Sequence, residues 1–118
     1  IAIGQFREYF AGQRREFDLP LDWPRLEPVT EAVLRTLMGV GYGETVTYAE
    51  LARRSGTGIP ARAIGSIMAA NPWPIVVPCH RVVASNGLGG YSGGEPGHEI
   101  ETKRWLLENE GALPAPLI

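Results

Sequence analysis

The chain has 118 residues, 11 Lys+Arg against 13 Asp+Glu, one cysteine and a formal charge of −2, which predicts one domain or a small domain with an appendage. The lone cysteine excludes an internal disulfide framework and a zinc site built on several thiolates, and it fits a reducing, cytoplasmic setting. No apolar run approaches the roughly 18 residues of a membrane span, no signal-like segment opens the chain, and Ile1 in place of Met marks a trimmed start.

Residues 1–24 read as an appendage. Ile3, Phe6 and Phe10 sit at near-helical spacing and predict a short helix over Gly4–Ala11 with those residues on its buried face. Glu16–Leu21 reads as extended, bounded by Pro20 and Pro24. These apolar residues need a partner surface that so short a piece does not supply. The domains are therefore set at 1–24 and 25–118.

A helix is predicted over Pro28–Val40, with Val29, Val33 and Leu37 beside Ala32, Thr36 and Val40 as its apolar stripe. Pro28 suits the first turn, and Gly39 and Gly41 mark the exit. The next helix is Tyr48–Ser55, with Thr47 as N-cap, Glu50 three residues on and Gly56 as the C-terminal glycine. A third helix follows over Pro60–Ala70, so the pair reads as helix-turn-helix.

Pro72-Trp73-Pro74 breaks the helical pattern, and Ile75-Val76-Val77 reads as a short buried extended segment leading into Pro78-Cys79-His80-Arg81-Val82-Val83. Ser85–Gly97 is a glycine-rich loop, and a last helix is expected over Glu99–Asn109, burying Ile100, Trp105 and Leu106 or Leu107 before Gly111. The fold class is mostly α with minor β.

Cys79 is the candidate nucleophile. A lone thiol is most often a buried, inert residue, but His80 and Arg81 follow it directly, and a nearby base or cation favours the thiolate. Successive side chains of an extended segment point to opposite sides, so Cys79 and His80 are not expected to pair directly unless a water bridges them or the backbone bends. Glu110 ends the last helix, where a negative charge opposes the helix dipole. A solvated end charge is the commoner fate there. Arg62 stands among Ala61, Ala63 and Gly65, a smooth helix face carrying one long cation. Gly87–Gly94 lacks the Gly-Lys-Ser/Thr of a phosphate loop, so that reading is rejected, although glycines still let backbone N–H groups approach a flat ligand.

Asn71-Pro72-Trp73-Pro74-Ile75-Val76-Val77-Pro78-Cys79-His80-Arg81-Val82-Val83 resembles the signature of the O6-alkylguanine-DNA alkyltransferases, the methylated-DNA–protein-cysteine methyltransferases. The resemblance extends to Gly43–Tyr48, Glu50-Leu51-Ala52, Ala61–Gly65, Gly90–Gly94, Lys103 with Trp105-Leu106-Leu107, and Glu110-Gly111, over about residues 26–111. It implies a helical C-terminal alkyltransferase domain whose usual N-terminal domain is largely missing. It also implies single-use DNA repair: Cys79 takes the alkyl group from O6-alkylguanine, with O4-alkylthymine as a second candidate, after the nucleotide is flipped out. His80 acts through a water on Cys79, Glu110 orients His80, and Asn71 braces the turn before Cys79. Tyr48 hydrogen-bonds the guanine. Arg62 fills the gap in the duplex, Ala61, Ala63 and Gly65 sit in the minor groove, and Arg81 joins the DNA-binding set. Met68, Val82, Tyr91 and Ser92 line the pocket. The implied partner is double-stranded DNA holding O6-alkylguanine, met by a monomer with no membrane, metal or cofactor. The loop Glu95–Thr102 is longer than in many relatives, and its His98 reads as exposed. Some relatives carry tryptophan in place of the cysteine and only bind lesions, whereas Cys79 is intact. The competing readings are such a lesion sensor, a helix-turn-helix regulator that reads the major groove, and a cysteine hydrolase.

The charge is unevenly spread. Residues 45–94 carry Arg53, Arg54, Arg62 and Arg81 against Glu50 alone, a net +3, and the remainder carries −5. That predicts modest, salt-sensitive binding to undamaged DNA.

Overall fold

The computed structural model describes residues 2–90 and 97–113. Five α-helices run α1 (Ala2–Phe10), α2 (Pro28–Leu37), α3 (Tyr48–Ser55), α4 (Ala61–Ala69) and α5 (Glu99–Asn109). Two short strands, β1 (Val46–Thr47) and β2 (Val82–Val83), pair in parallel with Val46 opposite Val82 and Thr47 opposite Val83. The fold is mostly α with minor β, as the sequence predicts.

The helix-turn-helix follows from local chemistry. Thr47 is extended and its hydroxyl accepts the Glu50 backbone N–H, satisfying one of the free amides that open α3. Only half of the expected capping box forms, because the Glu50 carboxylate turns outward to Arg53 and Arg54. Gly56 ends α3 at φ 66, a left-handed conformation that costs glycine nothing. α2, α3 and α4 then pack on one another around a core that includes Leu34, Leu51, Ile64, Val77 and Val82, each fully buried.

Three apolar faces differ from expectation. On α2, Val29 stays exposed and Leu34 is buried beside Val33 and Leu37. α3 and α4 both pack against α2, so its buried sector is wider and rotated from a single stripe. On α5, Ile100 and Trp105 are exposed, and the buried side chains are Lys103, Leu106 and Leu107. On α1, Ile3 and Phe10 are exposed, and the buried pair is Gln5 and Tyr9, one turn apart. That face is polar yet satisfied: the Gln5 amide donates to Asp18 O (2.9 Å) and accepts from Asp18 N (2.8 Å). Tyr9 packs tilted against Phe17 and edge-on against Tyr42, and Phe10 leans on Trp105. α1 thus rests on the α5 end of the molecule.

The segment before Cys79 is a turn rather than an extended run. Val77 N donates to Trp73 O (2.8 Å), and Ile75 sits at φ 74. Positive φ in a β-branched residue is a strained outlier, of order 1–3 kcal/mol, that surrounding structure must enforce. Asn71 enforces it. Its amide nitrogen donates to Val77 O (2.8 Å) and its amide oxygen accepts from Trp73 N (2.9 Å), closing the turn from both ends.

Candidate active site

Cys79, His80 and Arg81 form a single 3-10 turn, with Arg81 N donating to Pro78 O (2.9 Å). The extended backbone expected here is therefore corrected. At three residues per turn, successive side chains diverge by about 120° rather than 180°, which removes the objection that Cys79 and His80 must face opposite ways.

Arg81, expected among the DNA contacts, points inward. Its Nε and Nη2 donate to the Glu110 carboxylate (2.9 Å each) and its Nη1 donates to Val40 O (2.6 Å), with 8 % of the residue exposed. A guanidinium buried at this depth and paired with Glu110 is turned away from any phosphate, so this placement corrects the DNA assignment.

Glu110 is buried rather than a solvated helix end. His80 Nε2 lies 2.8 Å from its Oε2, and the Tyr9 hydroxyl donates to the same oxygen at 2.6 Å. Burial pushes the Glu110 carboxyl up, but hydrogen bonds from His80 and Arg81 outweigh it and hold the pKa at about 2. An ionised carboxylate only accepts. His80 Nε2 must then carry the proton, which leaves the lone pair on Nδ1. That Nδ1 is buried with no hydrogen-bond partner among the described residues, and burial also pushes the imidazolium pKa below its usual value. The histidine is therefore a neutral base of fixed tautomer.

Cys79 keeps only 7 % of its surface. Burial pushes its thiol pKa up, opposed by the Asn71 side chain, nearby backbone amides and the Lys103 charge. The resting group is a thiol that needs a base to become a nucleophile. Lys103 was not singled out for a role of its own by sequence reasoning. It is fully buried, with Nζ donating to Val82 O (2.5 Å) and Gly90 O (2.8 Å), and burial lowers its pKa to about 8. Its signal was present, since Lys103 shares a helix face with Leu106 and Leu107. Tyr9 was missed as well, hidden on a helix whose other aromatics suggested a different face.

The second part of the site lies on α3 and α4. Arg62 and Gly65 are exposed, and Ala61 and Ala63 are half-buried. Among the described residues Arg62 makes no ion pair, whereas Arg53 and Arg54 both pair with Glu50. Tyr48, Ala61, Arg62, Gly65 and Gly90 line an open hollow of about 490 Å³. The Tyr48 hydroxyl accepts from Gly90 N at 3.1 Å. A Cβ on Gly89, itself at φ 72, would stand 2.6 Å from that hydroxyl, so this close approach requires glycine. Of the expected pocket residues, Met68 packs half-buried on the core and Val82 is fully buried. Tyr91 and Ser92 lie outside the described residues, as do the following residues 93–96 of the Gly-rich loop that leads to exposed His98.

Known proteins resemble this chain in sequence and fold. Residues 28–112 match the family described as 6-O-methylguanine DNA methyltransferase, DNA binding domain. A methylated-DNA–protein-cysteine methyltransferase of Mycobacterium bovis is 44 % identical over 118 residues, covering 98 % of this chain and 68 % of that relative. A Thermus thermophilus protein named as a DNA base-flipping protein is 43 % identical over 107 residues, covering 89 % of this chain and 68 % of its own length. The crystal structure of Mycobacterium tuberculosis OGT in complex with DNA superposes with a TM-score of 0.84 at 43 % identity, covering 94 % of this chain and 66 % of that one. The chain thus spans about two thirds of these relatives, and within that span it carries the Cys79 turn, the buried His80–Glu110 pair and the helix-turn-helix: it belongs to the 6-O-methylguanine DNA methyltransferase family.

Proposed function

We propose that this protein repairs alkylated DNA by direct reversal, moving the methyl group of O6-methylguanine onto Cys79. The observation that carries the reading is the ordered sequence Cys79, His80, Glu110, in which an ionised carboxylate fixes the histidine tautomer and leaves a base beside the only thiol. His80 Nδ1 takes the thiol proton through a water. The thiolate attacks the methyl carbon in line, the C–S bond forms as the C–O bond breaks, and the oxygen's electron pair leaves with the guanine. The proton held on His80 balances the charge by returning to the guanine. A thioether remains on Cys79, and among the described residues none around it reverses that bond, so each molecule reacts once.

The reacting base reaches Cys79 only outside the duplex, at an unstacking cost of a few kcal/mol. The α4 face supports that step: Ala61, Ala63 and Gly65 allow close approach to a groove, and Arg62, exposed and without an ion pair among the described residues, would fill the gap in the stack. Tyr48, at the wall of the hollow, contacts the displaced guanine. Asn71 holds the turn that aims Cys79, and half-buried Met68 lines the pocket, with Val82 backing it from the core. The protein acts as a monomer on double-stranded DNA in the cytoplasm. Among the described residues no helix is long and apolar enough to cross a membrane.

The test is to incubate the protein with duplex DNA holding one O6-methylguanine and weigh it intact. A gain of one methyl, mapped to Cys79 and absent in Cys79→Ala, is expected; folded protein of unchanged mass would overturn the reading. The burial-raised thiol favours one second reading, a lesion sensor with an inert cysteine. Tight binding to the lesion with no mass change would establish it. An O4-methylthymine duplex tests the second candidate substrate by the same measurement.

A further inference from the structure

Tyr9 lies far from Cys79 in sequence, yet it touches the proposed proton relay. It is fully buried, and its hydroxyl donates to Glu110 Oε2 at 2.6 Å, the oxygen that also accepts from His80 Nε2 at 2.8 Å. Its carbonyl accepts from the Asn109 side chain at 3.2 Å, so α1 grips the end of α5 through both main chain and side chain. We propose that Tyr9 is a positioning residue for alkyl transfer: its hydroxyl pins Glu110 Oε2 at His80 and sets how strongly the carboxylate holds the histidine proton. The proposal rests on the relay assigned above to His80 and Glu110.

The physical argument is a competition. Arg81 offers Glu110 a two-pronged fork through Nε and Nη2, and such a fork draws a carboxylate into its own plane. His80 offers a single N–H. Tyr9 adds a third donor at Oε2 and holds that oxygen where His80 reaches it. Burial and the neighbouring carboxylate push the Tyr9 hydroxyl pKa far above its usual value, so it remains a donor at every working pH. Its hydrogen bond also disperses part of the Glu110 charge, which keeps His80 from binding a second proton too tightly.

The ionisable groups around this pair come from every packed element. Tyr9 faces Glu110 from α1, His80 and Arg81 face it from the 3-10 turn, Tyr42 acts on Tyr9 from the loop after α2, and Lys103 acts on His80 from α5. Removing the hydroxyl alone leaves the cations in place and concentrates the Glu110 charge on His80. The imidazolium then persists to higher pH.

Tyr9→Phe isolates the hydroxyl, because the ring keeps its packing against Phe17 and Tyr42. The expected result is a methyl-transfer rate reduced roughly tenfold at neutral pH, the size of one lost hydrogen bond to a charged group. The acid limb of the rate profile moves to higher pH, while lesion binding measured in a Cys79→Ser background stays unchanged. An NMR titration reads the same shift directly at His80, with exposed His98 as the unshifted control. An unchanged rate and an unchanged His80 titration would overturn the proposal, as would a lower rate with an unmoved titration, which marks a packing role only. The His80 titration decides the proposal even if wild-type protein transfers no methyl, an outcome that would sink the assigned function instead.

Discussion

Glu50 and Glu110 are both held at a pKa of about 2, by opposite physics. At Glu50 the cause is simple: hydrogen bonds from Arg53, then Arg54, favour the charged form at the surface. At Glu110 burial works against the charge, and His80 and Arg81 overcome it from inside. The surface cluster is screened by salt and held by mobile side chains, so its equal pKa carries little stability. The interior cluster is insulated, and each member would be a liability if its partner were lost. The same value therefore marks a solvated helix face in one region and the proposed reaction centre in the other. On the proposed function, one region would meet DNA and stay adaptable, whereas the other would aim a proton and hold still.

The sharpest way to break this contrast is Glu110→Gln. Arg81 would lose the anion that offsets its burial, a loss of about 3–5 kcal/mol for a broken buried pair, read from urea unfolding. The His80 tautomer would also be freed, and methyl transfer should fall by roughly 10²–10⁴-fold, the range of a lost acid–base function. Retention of both stability and rate would show that the interior cluster is as dispensable as the surface one.

Acid comes next. His80 has its imidazolium pKa pushed down, so below its usual 6.5 the unfolded chain binds a proton that the folded chain refuses. Glu110 adds a stabilising contribution that is complete above about pH 4.5 and is lost as pH falls toward 2. The urea midpoint should therefore decline from neutral pH downward. The Glu110 part should persist in about 1 M salt, where the screening length is about 3 Å, whereas any Glu50 part should vanish. An acid response erased by salt would contradict the contrast.

Arg62→Ala should lower methyl transfer from duplex DNA about tenfold through loss of the wedge, with less effect on a single-stranded lesion, where no gap needs filling. Equal losses on both substrates would remove the wedge role. The smallest effect is expected from Glu50→Gln: little change in urea midpoint, but tighter and more salt-dependent binding to undamaged DNA as Arg53 and Arg54 are released. Unaltered DNA binding would show that those arginines do not face the duplex.

Local elements were largely legible in the sequence. α3 and α5 lie where the sequence predicts them, because caps and glycines act within one turn: Thr47 and Gly56 bound α3, and Gly111, at φ 76, follows α5. Buried faces were read less well. Ile3, Phe10, Ile100 and Trp105 look like core by residue type but remain exposed, while Gln5, Lys103 and Glu110 look like surface and are buried. Hydrophobic periodicity does not register a polar side chain whose partners are distant in sequence. Charge counting had the same weakness. The net +3 over residues 45–94 included Arg81, which the fold spends on Glu110, so the outward charge of that region comes from Arg53, Arg54 and Arg62 against Glu50.

By itself the sequence determined the chain's helices, its helix-turn-helix, its single thiol and the histidine beside it, since each depends on neighbours within a few residues. Only the tertiary structure decided that the backbone at Cys79 is a turn, that Arg81 faces inward, and that Tyr9 and Glu110 meet across 101 positions of chain. The physical reason is that a buried charge is tolerable only where the complete fold assembles its partners.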